Sequence, residues 1–224
     1  MNASLRPVVA EFLGTALFVF IGAGSIVTNA MTAGGVTTLG IALAHGVGMA
    51  VIISALMGIS GAHLNPAVSL GLFVSGRIDG RTLGRYVAAQ LVGGTAGAAL
   101  VKVLFSAAAV RAVTAGAPQL SLSIGFGQGI ALEAAFTFFL VSAVFGTAVS
   151  SEAPKIGGFG IGLAIFVSAL VIGGLTGAAL NPARAFGPAL VSWSWHSQAV
   201  YWIGPLGGGA LAGWVWKLFL LPKA

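Results

Sequence analysis

Residues 60–71 read SGAHLNPAVSLG, and residues 176–187 read TGAALNPARAFG. Seven of the twelve aligned positions are identical at an offset of 116. Repetition of this kind predicts a duplicated architecture. Each copy contains one Asn-Pro-Ala segment, Asn65, Pro66 and Ala67 in the first and Asn181, Pro182 and Ala183 in the second.

The composition places the chain in a membrane. Of its 224 residues, 58% are hydrophobic and only 6% are charged, whereas soluble domains carry about 25% charged residues. A spanning helix needs about 20 apolar residues. The apolar runs are continuous and lack the alternation of barrel strands, which predicts an all-α membrane protein. Six such stretches lie near residues 8–30, 37–58, 84–106, 130–150, 156–174 and 199–220.

A second correspondence pairs Glu11-x-x-x-Thr15 with Glu133-x-x-x-Thr137 at an offset of 122. The chain is interpreted as one transmembrane domain made of two homologous halves, each with three spans and one Asn-Pro-Ala segment. Three is an odd number, so the second half enters the membrane from the opposite face. The halves are therefore inverted repeats, at about residues 1–115 and 125–224.

Each Asn-Pro-Ala segment is predicted to begin a short helix. Proline suits a first helical turn, where its missing N–H has no partner to lose. The apolar continuations, about 66–76 and 182–192, have half the spanning length. A single copy would favour a capped turn in a surface loop, but two copies in symmetric contexts favour half-helices that meet N-terminus to N-terminus near the midplane. Irregular backbone at that depth is tolerated where it lines a wet cavity, so a pore is predicted.

The chemistry of the predicted pore follows from Asn65 and Asn181. Each side chain caps a half-helix and leaves an amide donor toward the lumen. A water molecule that accepts from both donors directs its hydrogens outward, which polarises the water chain in opposite senses and stops proton hopping. The positive ends of the helix dipoles oppose cations at the same point.

These motifs, with Glu11 and Glu133 and the plan of six helices plus two half-helices, resemble the aquaporin or major intrinsic protein family over essentially the whole chain. The resemblance implies a homotetramer with one pore in each subunit. It also implies that Glu11 and Glu133 accept hydrogen bonds from the re-entrant loops, the alternative being a proton relay. His63, which precedes Asn65, is expected to brace its loop.

In the family, the arginine after the second motif belongs to an outer constriction. Carried over by motif, that constriction consists of His45, Ala169, Ala178 and Arg184. Narrow water-selective members have an aromatic residue at the His45 position and a histidine in the fifth helix. This chain is more similar to plant tonoplast-type members, with ALAH in its second helix.

The resemblance favours water as the permeant, with other small neutral solutes as further candidates. The two alanines of the constriction leave space beside His45 and Arg184, so ammonia and urea are further candidate permeants. Glycerol channels typically place Asp after the arginine and a basic residue four positions further, where this chain has Ala185 and Ala189. Both positions disfavour a glycerol channel, so a glycerol facilitator is the alternative and a water channel is the main interpretation.

Basic residues are unevenly distributed along the chain, which predicts that both termini face the cytoplasm. Lys102 and Arg111 fall on the opposite side. The expected location is a bacterial inner membrane, because the termini are very short. The cytoplasmic set is Arg6, Arg77, Arg81, Arg85, Lys155, Lys217 and Lys223.

Two other classes of membrane protein share some of these features. A coupled secondary transporter shares inverted repeats and broken helices, but it should present carboxylates at the midplane, where this chain repeats neutral amides. A structural membrane protein with a closed pore would need an adhesive surface that the short loops lack. No enzyme activity, cofactor, metal or nucleic-acid partner is expected.

Overall fold

The computed structural model describes residues 5–154 and 156–222, and within those ranges the chain is helical with no β-strand. Lys155 and Lys223, two of the predicted cytoplasmic charges, lie outside them. The helices are α1 Arg6–Met31, α2 Thr37–Ser60, α3 Pro66–Val74, α4 Gly80–Leu104, α5 Ala107–Ala112, α6 Phe126–Val144, α7 Gly157–Thr176, α8 Pro182–Ser192 and α9 Val200–Val215.

Five helices are long and apolar enough to cross a membrane: α1, α2, α4, α7, and α6 with its π-helical continuation to Val149. The sixth span is α9, whose 16 residues continue into a five-residue π-helical turn, Trp216–Leu220. At a rise near 1.5 Å per residue, such a segment matches the roughly 30 Å hydrocarbon layer. The predicted all-α membrane architecture is confirmed. The six-residue α5, which the sequence analysis did not predict, is far too short to span.

The two half-helices are also confirmed, because α3 begins at Pro66 and α8 at Pro182. The preceding spans α2 and α7 each end on a glycine in the left-handed region, Gly61 at φ 85° and Gly177 at φ 82°. Glycine adopts this conformation without a Cβ penalty. The second residue of each repeated motif is therefore the point where the chain leaves a full span and turns back into the membrane.

The helices pack so that each half-helix is held by the opposite half of the chain. Within the halves, α1 packs on α4 and α6 packs on α9, while α2 and α7 contact each other across the centre. The half-helix α3 lies mainly against α9, and α8 lies mainly against α4. Each half-helix therefore depends on the opposite half of the chain for most of its packing.

Small residues allow the close helix contacts. Gly97 of α4 lies against the carbonyl oxygen of Ala16 in α1, and Gly208 of α9 lies against that of Ala134 in α6. Each is the second glycine of a Gly-x-x-x-Gly motif, the pattern that lets membrane helices approach closely. A Cβ at either position would collide with backbone, which cannot move like a side chain.

We expect Gly97→Ala to destabilise the protein, because its methyl group would overlap the Ala16 carbonyl. Overpacking costs about 1–3 kcal/mol, which corresponds to a fall in the unfolding midpoint of roughly 2–12 °C at this chain length. Gly84→Ala is the matched control, since nothing lies within 4 Å of a Cβ there and Gly84 is an exposed position of the same helix. Thermal unfolding in detergent measures both. Equal shifts would contradict the packing account.

Candidate functional site

A buried carboxylate organises the first re-entrant loop. Glu11 has no exposed surface, and its Oε1 accepts hydrogen bonds from the His63 backbone N–H at 3.0 Å and the Ser60 hydroxyl at 2.7 Å. Its Oε2 accepts from the Leu64 backbone N–H at 2.7 Å. One side chain of α1 thus satisfies two consecutive loop amides, which at membrane depth have no water to bond.

Glu133 of α6 repeats this arrangement in the second half and is equally buried. Its Oε1 accepts from the Ala179 N–H at 2.9 Å and the Thr176 hydroxyl at 2.7 Å, and its Oε2 accepts from the Leu180 N–H at 2.7 Å. The first residue of each motif therefore supplies a hydroxyl, and the fourth and fifth supply backbone amides.

The loops need this support because their backbone is strained. Ala62, Leu64, Ala178 and Leu180 have φ of 47°, 53°, 44° and 53°, in the left-handed region. That conformation costs a non-glycine residue roughly 1–2 kcal/mol. The bonds to the carboxylates offset the strain and fix the loop shape.

The same loop shape leaves backbone acceptors free. Among the described residues, no protein donor bonds the carbonyl oxygens of Ala62 and His63, or those of Ala178 and Ala179. All four residues line cavities. Each loop thus offers consecutive carbonyl groups as hydrogen-bond acceptors for a small polar molecule.

The two asparagines cap the half-helices and bond across the junction. Asn65 Oδ1 accepts from the Ala67 N–H at 2.8 Å, and Asn181 Oδ1 accepts from the Ala183 N–H at 3.0 Å. Asn65 Nδ2 donates to the Leu180 carbonyl at 2.8 Å, and Asn181 Nδ2 donates to the Leu64 carbonyl at 2.9 Å. One hydrogen of each amide group is therefore used by the opposite loop, and one remains.

The alanines of the motifs are packing residues. The Ala183 carbonyl oxygen would lie 2.5 Å from a Cβ at Gly94 of α4, and the Ala67 carbonyl lies equally tightly against Gly209 of α9. Both alanines are fully buried. A larger helix partner would push the half-helices away from the junction.

Two cavities meet at this junction. One, of about 240 Å³, is lined by His45, Ala169, Ala178 and Arg184, so the structure brings all four predicted constriction residues to one cavity. The other, of about 250 Å³, is lined by residues that include His63, Val68 and Arg77. The residues common to both cavities are Met49, Asn65, Leu140 and Ile165.

Arg184 is 3% exposed and is fixed by the turn after α5. Its Nη1 donates to the Gly116 carbonyl at 3.0 Å, and its Nη2 lies 3.5 Å from His45 Nε2. His45 Nδ1 lies 2.8 Å from the Ile41 carbonyl and must donate to it, so a neutral ring presents the Nε2 lone pair toward Arg184.

Several residues of this region were missed by the sequence analysis. Gly22 of α1 makes room for the His45 ring, because a Cβ there would lie 2.5 Å from Nε2. Phe18, one turn earlier, meets that ring edge-on at 5.8 Å between centroids. The carbonyl of Gly116 was missed as well, since no sequence pattern links it to a residue 68 positions away.

Gln90 of α4 was also missed, although an isolated amide in an apolar helix was a usable signal. Its Nε2 donates to Glu11 Oε2 at 2.8 Å and to the Ser69 hydroxyl at 3.0 Å. His63 Nδ1 lies 3.1 Å from the same hydroxyl. Among the described residues, no side-chain amide bonds Glu133, and Ala179 occupies the position that His63 has in the first loop.

Comparison with known proteins agrees with this geometry. A family model described as Major intrinsic protein matches residues 1–216. Aquaporin TIP4-4 of Zea mays is 43% identical over 222 residues, covering 95% of this chain and 85% of the relative. Aquaporin-8 of Notomys alexis is 39% identical over 224 residues, covering 96% and 82% respectively. The X-ray structure of the aquaglyceroporin from Plasmodium falciparum has a TM-score of 0.86 at 25% identity, with 96% of each chain covered.

The chain belongs to the major intrinsic protein family. It is a multi-pass membrane protein of a family of channels, and it is not an enzyme.

We expect Glu133→Gln to loosen the second loop. With its oxygen at the Thr176 and Ala179 side, the new amide group faces the Leu180 N–H, donor against donor. A buried unpaired donor costs about 1–3 kcal/mol, so the unfolding midpoint should fall by roughly 2–12 °C.

Glu152→Gln is the control, because Glu152 is exposed in the turn after α6 and bonds neither loop. Thermal unfolding and vesicle water permeability measure both variants. A Glu133→Gln protein that unfolds at the wild-type temperature would show that the carboxylate is not the support.

Proposed function

We propose that this protein is a passive channel that conducts water and excludes protons and ions. The observation that carries the proposal is the meeting of two asparagine-capped helix N-termini where two cavities join. The relatives named aquaporin support the same conclusion.

The remaining amide hydrogens of Asn65 and Asn181 are the donors in this mechanism. A water molecule at the junction accepts from both through its oxygen and points its hydrogens toward the two cavities. The water chains on either side are then oriented in opposite senses, so a proton cannot pass by hopping. The N-termini of α3 and α8 add positive potential at the same place and oppose cations.

The rest of the path suits rapid passage. The unpaired loop carbonyls accept hydrogen bonds from water at successive positions. Met49, Leu140 and Ile165 also line both cavities and are apolar. Water therefore finds enough partners to enter and too few to be retained, which is the condition for conduction.

The outer constriction in this proposal consists of His45, Ala169, Ala178 and Arg184. Arg184 supplies a fixed positive charge and a donor, and neutral His45 supplies an acceptor beside it. The two alanines leave more room than larger side chains would. We therefore include ammonia and urea among the permeants, with glycerol as the alternative.

Glu11, Glu133 and His63 are proposed to support the loops and not to carry protons. Each carboxylate oxygen already accepts at least one hydrogen bond from loop or helix donors. His63 is held between the Ser69 hydroxyl and the ring of Tyr86, whose centroid lies 5.0 Å away.

Filling the cavity of about 240 Å³ that contains Arg184, here called the outer cavity, tests whether water passes through it. Ala169→Trp places a large ring in the cavity that contains Arg184, so water permeability should fall to nearly that of empty vesicles. Val171→Trp is the matched control, because Val171 is 57% exposed on the other face of α7 and should leave permeability unchanged. Stopped-flow light scattering of reconstituted vesicles measures both.

The wild-type protein in the same vesicles should pass water, ammonia and urea faster than empty vesicles do, and glycerol least. Wild-type water permeability no greater than that of empty vesicles would end the water-channel proposal. Full permeability in Ala169→Trp would remove this cavity from the path.

Arg184→Ala should weaken charge exclusion, because Arg184 is the only cationic side chain among the described residues that line its cavity. A barrier lowered by about 1.4 kcal/mol would raise proton or cation flux tenfold. Arg184→Lys keeps the charge and should keep most of the exclusion of protons and cations. Arg85→Ala removes a charge near the N-terminal end of α4 and should leave the proton flux unchanged. A pH-sensitive dye inside the vesicles reports the flux. Unchanged proton flux in Arg184→Ala would exclude the arginine from the barrier.

The proposed assembly is a homotetramer with one pore per subunit, on the basis of the family. The proposed orientation places both termini in the cytoplasm, since Arg81 and Arg85 lie in the first turns of α4 and only Lys102 lies in its last turn. A bacterial inner membrane stays a sequence-based prediction, and the relatives named above come from Zea mays and Notomys alexis.

A further inference from the structure

A third cavity, outside the pore, contains two cations that conduction does not use. Lys102 in the last turn of α4 and Arg111 in the last turn of α5 line a space of about 340 Å³. In the proposed orientation both lie on the non-cytoplasmic face, where the positive-inside rule predicts few basic residues. A local binding role would explain their presence there. The other polar and backbone groups of the cavity come from Thr114, Ala115, Val191 and Ser192.

The protein does not neutralise these cations. It has four acidic residues, and none of them lines this cavity. Glu11 and Glu133 are buried under the re-entrant loops, Asp79 caps the opposite end of α4, and Glu152 follows α6.

The polar groups of the cavity retain donors. Lys102 Nζ donates to the Val191 carbonyl at 3.1 Å, which uses one of its three hydrogens. The Thr114 hydroxyl accepts from Gln119 Nε2 at 3.0 Å and keeps its own hydrogen for donation. Arg111 is exposed and adds a planar guanidinium, which suits phosphate oxygens.

The cavity lies at the depth where a membrane changes from acyl chains to head groups. Val103 and Leu104, which follow Lys102 and end the α4 span, are 78% and 65% exposed. Large exposed apolar side chains on a spanning helix face lipid tails, whereas a lysine at the helix end reaches the head-group layer. A molecule bound here therefore has an apolar surface beside its charged group.

We propose that the Lys102–Arg111 cavity binds the phosphate group of an anionic phospholipid, whose acyl chains lie along the exposed face of α4. The lipid bridges α4, α5 and the end of α8. It also lies against the turn Thr114–Gly116, whose three residues all have positive φ and whose Gly116 carbonyl holds Arg184. Binding that joins these elements should raise the thermal stability of the protein.

The test uses the purified full chain in uncharged detergent with phosphatidylglycerol, phosphatidylcholine or inorganic phosphate alone. We expect phosphatidylglycerol to raise the unfolding midpoint by about 2–4 °C, and native mass spectrometry to show a retained lipid. Lys102→Gln/Arg111→Gln should lose this shift and bind the lipid roughly 30-fold more weakly, about fivefold for each cation removed.

Arg81→Gln/Arg85→Gln removes the same charge from the other end of α4 and controls for the general attraction of anionic lipid to a basic protein. It should keep the retained lipid and the shift. Lys102→Arg should also keep the retained lipid and the shift. Lys102→Gln/Arg111→Gln should conduct water as fast as the wild-type protein in phosphatidylcholine vesicles, which shows that this variant is folded.

Three outcomes would overturn the proposal. The first is an undiminished shift in Lys102→Gln/Arg111→Gln, and the second is an equal loss in the two double variants. The third is an equal shift with phosphatidylcholine or with inorganic phosphate, which would assign the cavity to a neutral lipid or to a free anion.

Discussion

The structure depends on two carboxylates buried at membrane depth, each bonded to consecutive backbone amides of a re-entrant loop. An isolated charge in this environment is costly, and so is an unpaired amide. Bonding Glu11 to His63 and Leu64, and Glu133 to Ala179 and Leu180, resolves both costs together. The strained loops can then persist, and two helices can begin in the middle of the membrane.

In the proposed channel, once the loops are fixed, proton exclusion and solute selectivity depend on different residues. We assign proton exclusion to the symmetric junction, to which each half contributes an asparagine and a helix N-terminus. Selectivity among solutes belongs to asymmetric positions. The equivalent residues Val68 and Arg184 are both buried, but Val68 lines one cavity and Arg184 the other. On this proposal, substitution at the constriction should change the permeant without disturbing the junction.

The repeated motif explains why so much of the site was predictable. Its glycine, asparagine and proline have local roles, as left-handed cap, helix cap and first helical residue, and a local role gives a recognisable sequence pattern. The hydrogen bonds from Asn65 to Leu180 and from Asn181 to Leu64 correspond to no recognisable sequence pattern. Gln90 gave a signal as an isolated amide in an apolar helix, but its partners did not. Gly22 and the Gly116 carbonyl gave no signal, because each acts on a residue brought close only by helix packing.

The sequence by itself determined that this chain crosses a membrane as six helices and two half-helices in inverted halves. Hydrophobicity and proline position act over short distances, and the repetition is visible by direct comparison of the two halves. Only the tertiary structure decided that each half-helix rests on the opposite half of the chain and that one hydrogen of each asparagine amide is used by the facing loop. It also decided which oxygen holds Arg184. These contacts join residues about 70 to 120 positions apart, and their geometry follows from how closely glycine lets the helices approach.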